Sequence, residues 1–161
     1  MGFLIFVSLG TNDKSFDRLL KAIDKEITLG NIKDKVIVQS GYTKYESNNM
    51  EIIDLMTMDM FNECISNCDL LITHGGVGTI LDGLKNGKKI IAFPRLSKYH
   101  EHVNDHQLEI VNKFYNEGYI LTGEIDELRS LLDKIKEFKP KKYVSNNSKF
   151  NQKLCDIINK F

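Results

Sequence analysis

The feature that most constrains this chain is an apolar run that ends in glycines. DLLIT, residues 69–73, passes straight into HGGVGT, residues 74–79, and helical spacing resumes at Ile80, Leu81 and Leu84. A leucine- and isoleucine-rich run without polar alternation suits a strand covered on both faces, the habit of parallel sheets. Glycines directly after such a strand let backbone N–H groups and the positive end of the next helix approach an anion, most naturally a phosphate or diphosphate. A tight turn needing positive φ is the competing reading, and for a lone glycine pair it is the better one. Three glycines among residues 75–78, followed by Thr79, favour the anion site.

The same strand-then-helix pattern recurs along the chain. Residues 3–7 (FLIFV), 35–39 (KVIVQ) and 89–93 (KIIAF) read as further buried strands, and 119–121 as a short one. Between them, Phe16, Leu19, Leu20, Ile23 and Ile27 recur at helical spacing behind a cap at Asp13 or Ser15. Met56, Met60, Phe61, Cys64 and Ile65 share one helical face, with the methionines read as core filler. Residues 104–117 and 124–138 are two more helices, and residues 40–49 carry no period and read as loop. Strands alternating with helices predict an α/β fold, a Rossmann-like open parallel sheet with helices on both faces. In such sheets ligands lie beyond the carboxyl ends of the strands, where SLGTND, HGGVGT and FPRLSKYHEHVNDHQ fall.

Composition excludes several classes. The 161 residues suit one domain, and 42% hydrophobic with 27% charged residues is ordinary globular usage. Twenty-two basic residues against 22 acidic ones give no net charge, so nucleic-acid binding through a general positive excess has no support. Cys64, Cys68 and Cys155 are odd in number and lack metal-pair spacing, which predicts reduced thiols in a cytoplasmic protein. No run reaches the ~18 apolar residues of a membrane span, and no signal peptide is visible.

Three familiar motifs fail. SLGTND after the first strand holds only Gly10 where a dinucleotide fold needs GxGxxG, which disfavours NAD or FAD and with them an epimerase. GLKNGKK, residues 83–89, has the wrong glycine spacing for a Walker loop and reads as a helix end. His100, His102 and His106 cluster in HEHVNDH, but Val103 stands where the HExxH zinc motif needs Glu. Asn104 and Gln107 are spaced for a capping box, or to hydrogen-bond a polyhydroxy ligand.

THGGVGTILDGLKNGKKIIAFPR followed by KYHEHVNDHQLEIV closely resembles the C-terminal, donor-binding half of glycosyltransferase family 28, and FVSLGTNDKSFDRLL is similar to that family's first strand, loop and helix. The likeness is strongest to small catalytic subunits of two-component UDP-sugar transferases, the dolichol-pathway N-acetylglucosaminyl transferase subunit and bacterial capsule and exopolysaccharide relatives. The RLSKYHEHVNDHQ form leans to the bacterial group. The resemblance implies a GT-B type fold of which this chain is the C-terminal half.

It further implies that Gly75, Gly76, Gly78 and Thr79 bind the diphosphate of a UDP-sugar and that Asp82 binds its ribose. Asn104, Asp105 and Gln107 would contact the donor sugar, with Gly10 and Thr11 across the cleft. His74 and His106 are the candidate catalytic bases. His100 stands where the family leads one to expect glycine. No cofactor or metal is implied, since helix N–H groups can take the charge of the leaving UDP. The resemblance divides the chain into a donor-binding domain, 1–140, and a linker with a C-terminal helix, 141–161. That helix, with Phe150, Leu154, Ile158 and Phe161, either docks on a membrane-anchored partner subunit or packs back on the domain. The partner would supply a lipid-diphosphate-linked acceptor at the inner face of the cell membrane. The implied function is an inverting hexosyltransferase; the alternative is a non-catalytic nucleotide-binding module that regulates a partner.

Overall fold

The computed structural model describes residues 2–145 and 148–159. Five parallel strands form one sheet in the order β3-β2-β1-β4-β5: β1 Leu4–Ser8, β2 Lys35–Gln39, β3 Glu51–Ile53, β4 Leu70–His74 and β5 Lys89–Phe93. Register pairs Ile5 with Val36 and with Leu70, and Leu70 with Lys89, so β1, β2, β4 and β5 end together at the carboxyl edge. The helices are α1 Asp17–Thr28, α2 Met58–Asn67, α3 Val77–Lys85, α4 His106–Asn116, α5 Leu128–Glu137 and α6 Ser148–Asn159.

Strand alternation sorts the core into two layers. Ile5, Val7, Ile72, Ile91 and Phe93 face α1 and α5. Phe6, Leu71, Ile90 and Ala92 face the other way, against α2, α3, α4 and α6. Both faces of the sheet are therefore covered, as its uninterrupted apolar strands require. Gly83 lets α3 close on the sheet, because a Cβ there would stand 2.8 Å from Ile90 and Leu71 side-chain atoms.

Several local readings are corrected. β3 follows the 40–49 loop, in residues to which the sequence assigns no element; three residues are too few to show a period. Residues 119–121 make a single bridge, Ile91 to Leu121, and not a strand. The 124–138 helix opens as a 3-10 turn, Ile125–Glu127, before α5. Neither Asp13 nor Ser15 caps α1: its first turn is preceded by Phe16, whose N–H donates to Thr43 Oγ1 at 2.9 Å from the β2–β3 loop. GLKNGKK is indeed a helix end, with Gly87 at φ 68°. The three cysteines are free thiols.

The C-terminal helix packs back on the domain. Phe150 and Leu154 are buried, and the Phe150 ring lies 5.2 Å from Phe114 and 5.1 Å from Tyr119, edge to face. Ile158 stays exposed, and Phe161 is outside the described residues. Phe150→Ala is expected to destabilise the fold by about 3 kcal/mol, because the cavity would be lined by rings that cannot collapse into it. A chemical denaturation series at fixed pH checks this; a loss under about 1 kcal/mol would mean α6 is not part of the core.

Candidate functional site

The carboxyl ends of β1 and β4 open on a cleft of about 380 Å³. Gly10 and Thr11 form one side, with Gly76, Gly78, Thr79 and Asp82 of the α3 entry opposite and His74 between them. Gln39, Met56, Met58 and Phe61 complete the wall. The structure thus gathers Gly10, Thr11, His74, Gly76, Gly78, Thr79 and Asp82 at one place.

The glycine loop is not a positive-φ turn. Gly76 has φ −77°, and neither Gly75 nor Gly78 is in the left-handed region. Gly75 and Gly76 are required by close approach instead. A Cβ on Gly75 would meet Gln107 Cβ at 2.7 Å and Val111 Cγ2 at 2.9 Å, and one on Gly76 would collide with the His74 ring. A Cβ on Gly78 would meet nothing within 4 Å. Gly10 does need its backbone freedom, at φ 75°, and also leaves room for the His74 ring, whose Nε2 would be 2.5 Å from a Cβ. The imidazole is therefore held between two glycines.

Helix α3 begins without a side-chain cap and with no acidic residue in its first turn. Its orphan N–H groups and the positive end of its dipole face the cleft, which is the arrangement that attracts an anion. Asp82 stands on the cleft side of the next turn, and its carboxylate makes no hydrogen bond or ion pair among the described residues.

His74 is 8% exposed. Burial, reinforced by the Arg95 charge, pushes its pKa down to about 3. Its Nδ1 lies 3.2 Å from Gln107 Nε2. A group of such low basicity is a poor proton acceptor at neutral pH.

The 94–107 segment does not present the side chains assigned to it. Gln107 is buried, and its Oε1 accepts from Gly75 N and Arg95 N, both at 3.0 Å. It therefore makes no capping box. Asn104 Oδ1 accepts from His106 N at 2.9 Å in a local turn, and Asp105 precedes α4 without capping it through its side chain. Asp105 Oδ1 accepts from Ser97 N and Oγ at 2.8 and 2.9 Å, and these bonds hold its carboxyl below the usual range. Asp105 lines a different hollow, beside Arg18 and Lys98, and His106 is not on the cleft wall. His100, where glycine was expected, has φ 58°, a left-handed conformation that histidine enters more readily than most residues. Among the described residues no group of three or more His, Cys, Asp or Glu is arranged to hold a metal.

Three side chains take places that were not read from the sequence. Arg95 is completely buried and donates to Leu9 O, Lys14 O and Glu101 O at 2.6, 2.7 and 3.2 Å, tying the β1–α1 loop to the β5–α4 loop. Glu101, also buried, is gripped by Arg18 through two 2.9 Å bonds. Of the two methionines read as core filler, Met56 is partly buried against the core whereas Met60 is exposed, and Met58, 72% exposed, stands at the cleft.

A parallel sheet in which an inner strand, β4, passes through a glycine loop onto an uncapped helix defines an α/β domain with a cleft at its carboxyl edge. The chain belongs to the family described as the glycosyltransferase family 28 C-terminal domain, whose model matches residues 4–161. It is 29% identical over 135 residues to the UDP-N-acetylglucosamine transferase subunit ALG13 of Candida glabrata, covering 84% of this chain and 60% of that protein. The chain thus spans less than two thirds of that relative's length. The solution NMR structure of ALG13 matches with a TM-score of 0.57 at 21% identity, over 94% of both chains. A glycosyltransferase of Streptomyces sp. SF2575, SsfS6, complexed with thymidine diphosphate, matches with a TM-score of 0.57 at 15% identity, over 99% of this chain but 38% of that one. At these identities the two structures speak for the fold, that of one half of a GT-B glycosyltransferase.

Proposed function

We propose that this chain is the donor-binding, catalytic part of an inverting transferase that takes a hexose from a UDP-sugar. The observation that carries the reading is the composition of the cleft wall. An uncapped helix N-terminus behind Gly76 and Gly78 suits a diphosphate, an unpaired carboxylate one turn on at Asp82 suits ribose hydroxyls, and Met56, Met58 and Phe61 offer an apolar seat for a base. The wall thus offers, in series, what a nucleoside diphosphate presents. UDP-N-acetylglucosamine is the first donor to try, since the relative named above is a transferase of that sugar.

In the reaction, the N–H groups of α3 stabilise the charge that grows on the departing UDP, a role that needs no metal. The acceptor oxygen attacks from the opposite face of the sugar, so the general base belongs beyond this cleft wall, on a second subunit or at the cleft edge. The acceptor we propose is a lipid-diphosphate-linked sugar at the inner face of the cell membrane, presented by a membrane-anchored partner. Among the described residues no helix is long and apolar enough to cross a membrane. The setting we propose, bacterial capsule or exopolysaccharide synthesis, rests on the resemblance of residues 95–107 alone, and the relative named above is a Candida glabrata protein.

Ligand-observed NMR of the purified chain with UDP, UDP-N-acetylglucosamine, UDP-galactose, UDP-glucose, UDP-glucuronate, AMP and NAD tests the donor half. Asp82→Ala is expected to weaken uridine nucleotides about 10- to 100-fold, the loss of one charge-assisted hydrogen-bonding group. Equal binding of AMP and UDP, or an unaffected mutant, would overturn the reading of this wall.

A further inference from the structure

We infer that Gln107 is a positioning residue that fixes the tautomer of His74, so that a neutral imidazole presents its Nε2–H, and not a bare nitrogen, to the cleft. The orientation of the Gln107 amide follows from its partners. One end meets two backbone donors, Gly75 N and Arg95 N, so that end is the oxygen; the reverse setting would press an NH2 group against two N–H groups. The other end is therefore the nitrogen, and at 3.2 Å from His74 Nδ1 it can only donate. Nδ1 must then be the bare acceptor and Nε2 carries the ring proton.

Nε2 makes no hydrogen bond among the described residues. It lies between Gly10 and Gly76, the two glycines that line the cleft on either side of the ring. A fixed N–H at that point extends the row of backbone donors at the α3 entry, and it adds a donor without adding a charge. The consequence rests on the nucleotide-sugar reading above: the His74 N–H donates to the diphosphate and cannot be the base that deprotonates the acceptor. Gln107, in the segment that the family resemblance assigns to the donor sugar, acts through His74 and Gly75.

The groups whose charge bears on the ring are Arg95, at the end of β5, and His102, in the loop that follows; both disfavour its protonation. Asp82 lines the same cleft. With its pKa at about 3, His74 stays neutral throughout the physiological range, so nucleotide-sugar affinity should be flat with pH in the native chain.

Gln107→Glu inverts the arrangement at constant shape. One carboxylate oxygen still accepts from Gly75 N and Arg95 N, but the other can only accept from Nδ1–H. At high pH the ring proton then moves to Nδ1 and a lone pair faces the diphosphate. The carboxylate also raises the His74 pKa, and as pH falls through that raised value the ring gains a second proton and the Nε2 donor returns. UDP-N-acetylglucosamine should bind the variant about tenfold more weakly than the native chain at about pH 8 and regain that loss by about pH 6, with the native chain unchanged.

Nitrogen-15 NMR of the imidazole in the ligand-free native chain is the direct test and needs no variant. A protonated Nε2 with a bare Nδ1 is the expected result; a protonated Nδ1 overturns the inference. Thermal melting establishes that the variant is folded, and a folded variant whose affinity does not vary with pH also overturns it. If the native chain binds no UDP-N-acetylglucosamine while His74 shows the expected tautomer, the donor reading fails and the tautomer assignment stands.

Discussion

Gly76→Ala should abolish nucleotide binding, whereas Gly78→Ala, two residues away, should leave the fold intact and lose binding all the same. The difference lies in what each absent side chain makes room for. At Gly76 a methyl group would strike the His74 ring, which is already confined on its other side by Gly10. The ring or the loop must move, and overpacking of this kind costs about 1 to 3 kcal/mol. Either movement dismantles the entry to α3. At Gly78 a methyl group meets no protein atom, in the first turn of a helix, where alanine is favoured over glycine by up to about 1 kcal/mol. Any loss of binding there must come from the ligand meeting the new methyl group. Thermal melts beside UDP titrations separate the two: Gly76→Ala loses stability and affinity together, Gly78→Ala loses affinity alone. A Gly78→Ala chain that binds UDP normally would place the anion elsewhere.

This contrast also explains what could be read in advance. The strand-to-helix glycine loop was legible because a buried strand and a helix each carry their own period, and only the junction between them lacks one. What the three glycines do differs, and nothing local distinguishes them: Gly75 admits Gln107 and Val111, Gly76 admits His74, and Gly78 leaves space. The four long strands of the sheet were equally plain, whereas β3, with three residues on the edge, depends on pairing with β2 that no local pattern announces. The donor-sugar segment was the least legible. Asn104, Asp105 and Gln107 are residue types that suit sugar hydroxyls, but they also suit backbone N–H groups, and in the fold a backbone partner takes each of them. The cleft's apolar wall could have been suspected from the methionines crowded around the start of α2, of which Met56 and Met58, on either side of its cap Thr57, reach the cleft while Met60 does not.

Arg95 carries the second large expectation. Replacing it by lysine should cost more stability than any other single change outside the apolar core, on the order of 3 kcal/mol, and should weaken nucleotide binding as well. The reason is geometric. Its guanidinium reaches Leu9 O and Lys14 O on one loop and Glu101 O on another, while stacking 5.1 Å from the Phe16 ring. Burial lowers its pKa to about 10, so it remains charged at neutral pH, with the Glu101 charge opposing that fall. A lysine ammonium is a point donor and cannot span three carbonyls that diverge around a planar fork. Whichever carbonyl it fails to reach is left buried without a partner, at about 1 to 3 kcal/mol for each such group. The effect passes to the cleft because Leu9 immediately precedes Gly10, and the Arg95 backbone N–H shares Gln107 Oε1 with Gly75. Loosening this one side chain therefore frees the Gly10 turn on one side of His74 and the glycine loop on the other. Urea denaturation of Arg95→Lys beside a UDP titration checks both parts. If stability falls and the affinity of the folded fraction does not, the two loops hold their places without the guanidinium, and Arg95 serves the fold alone.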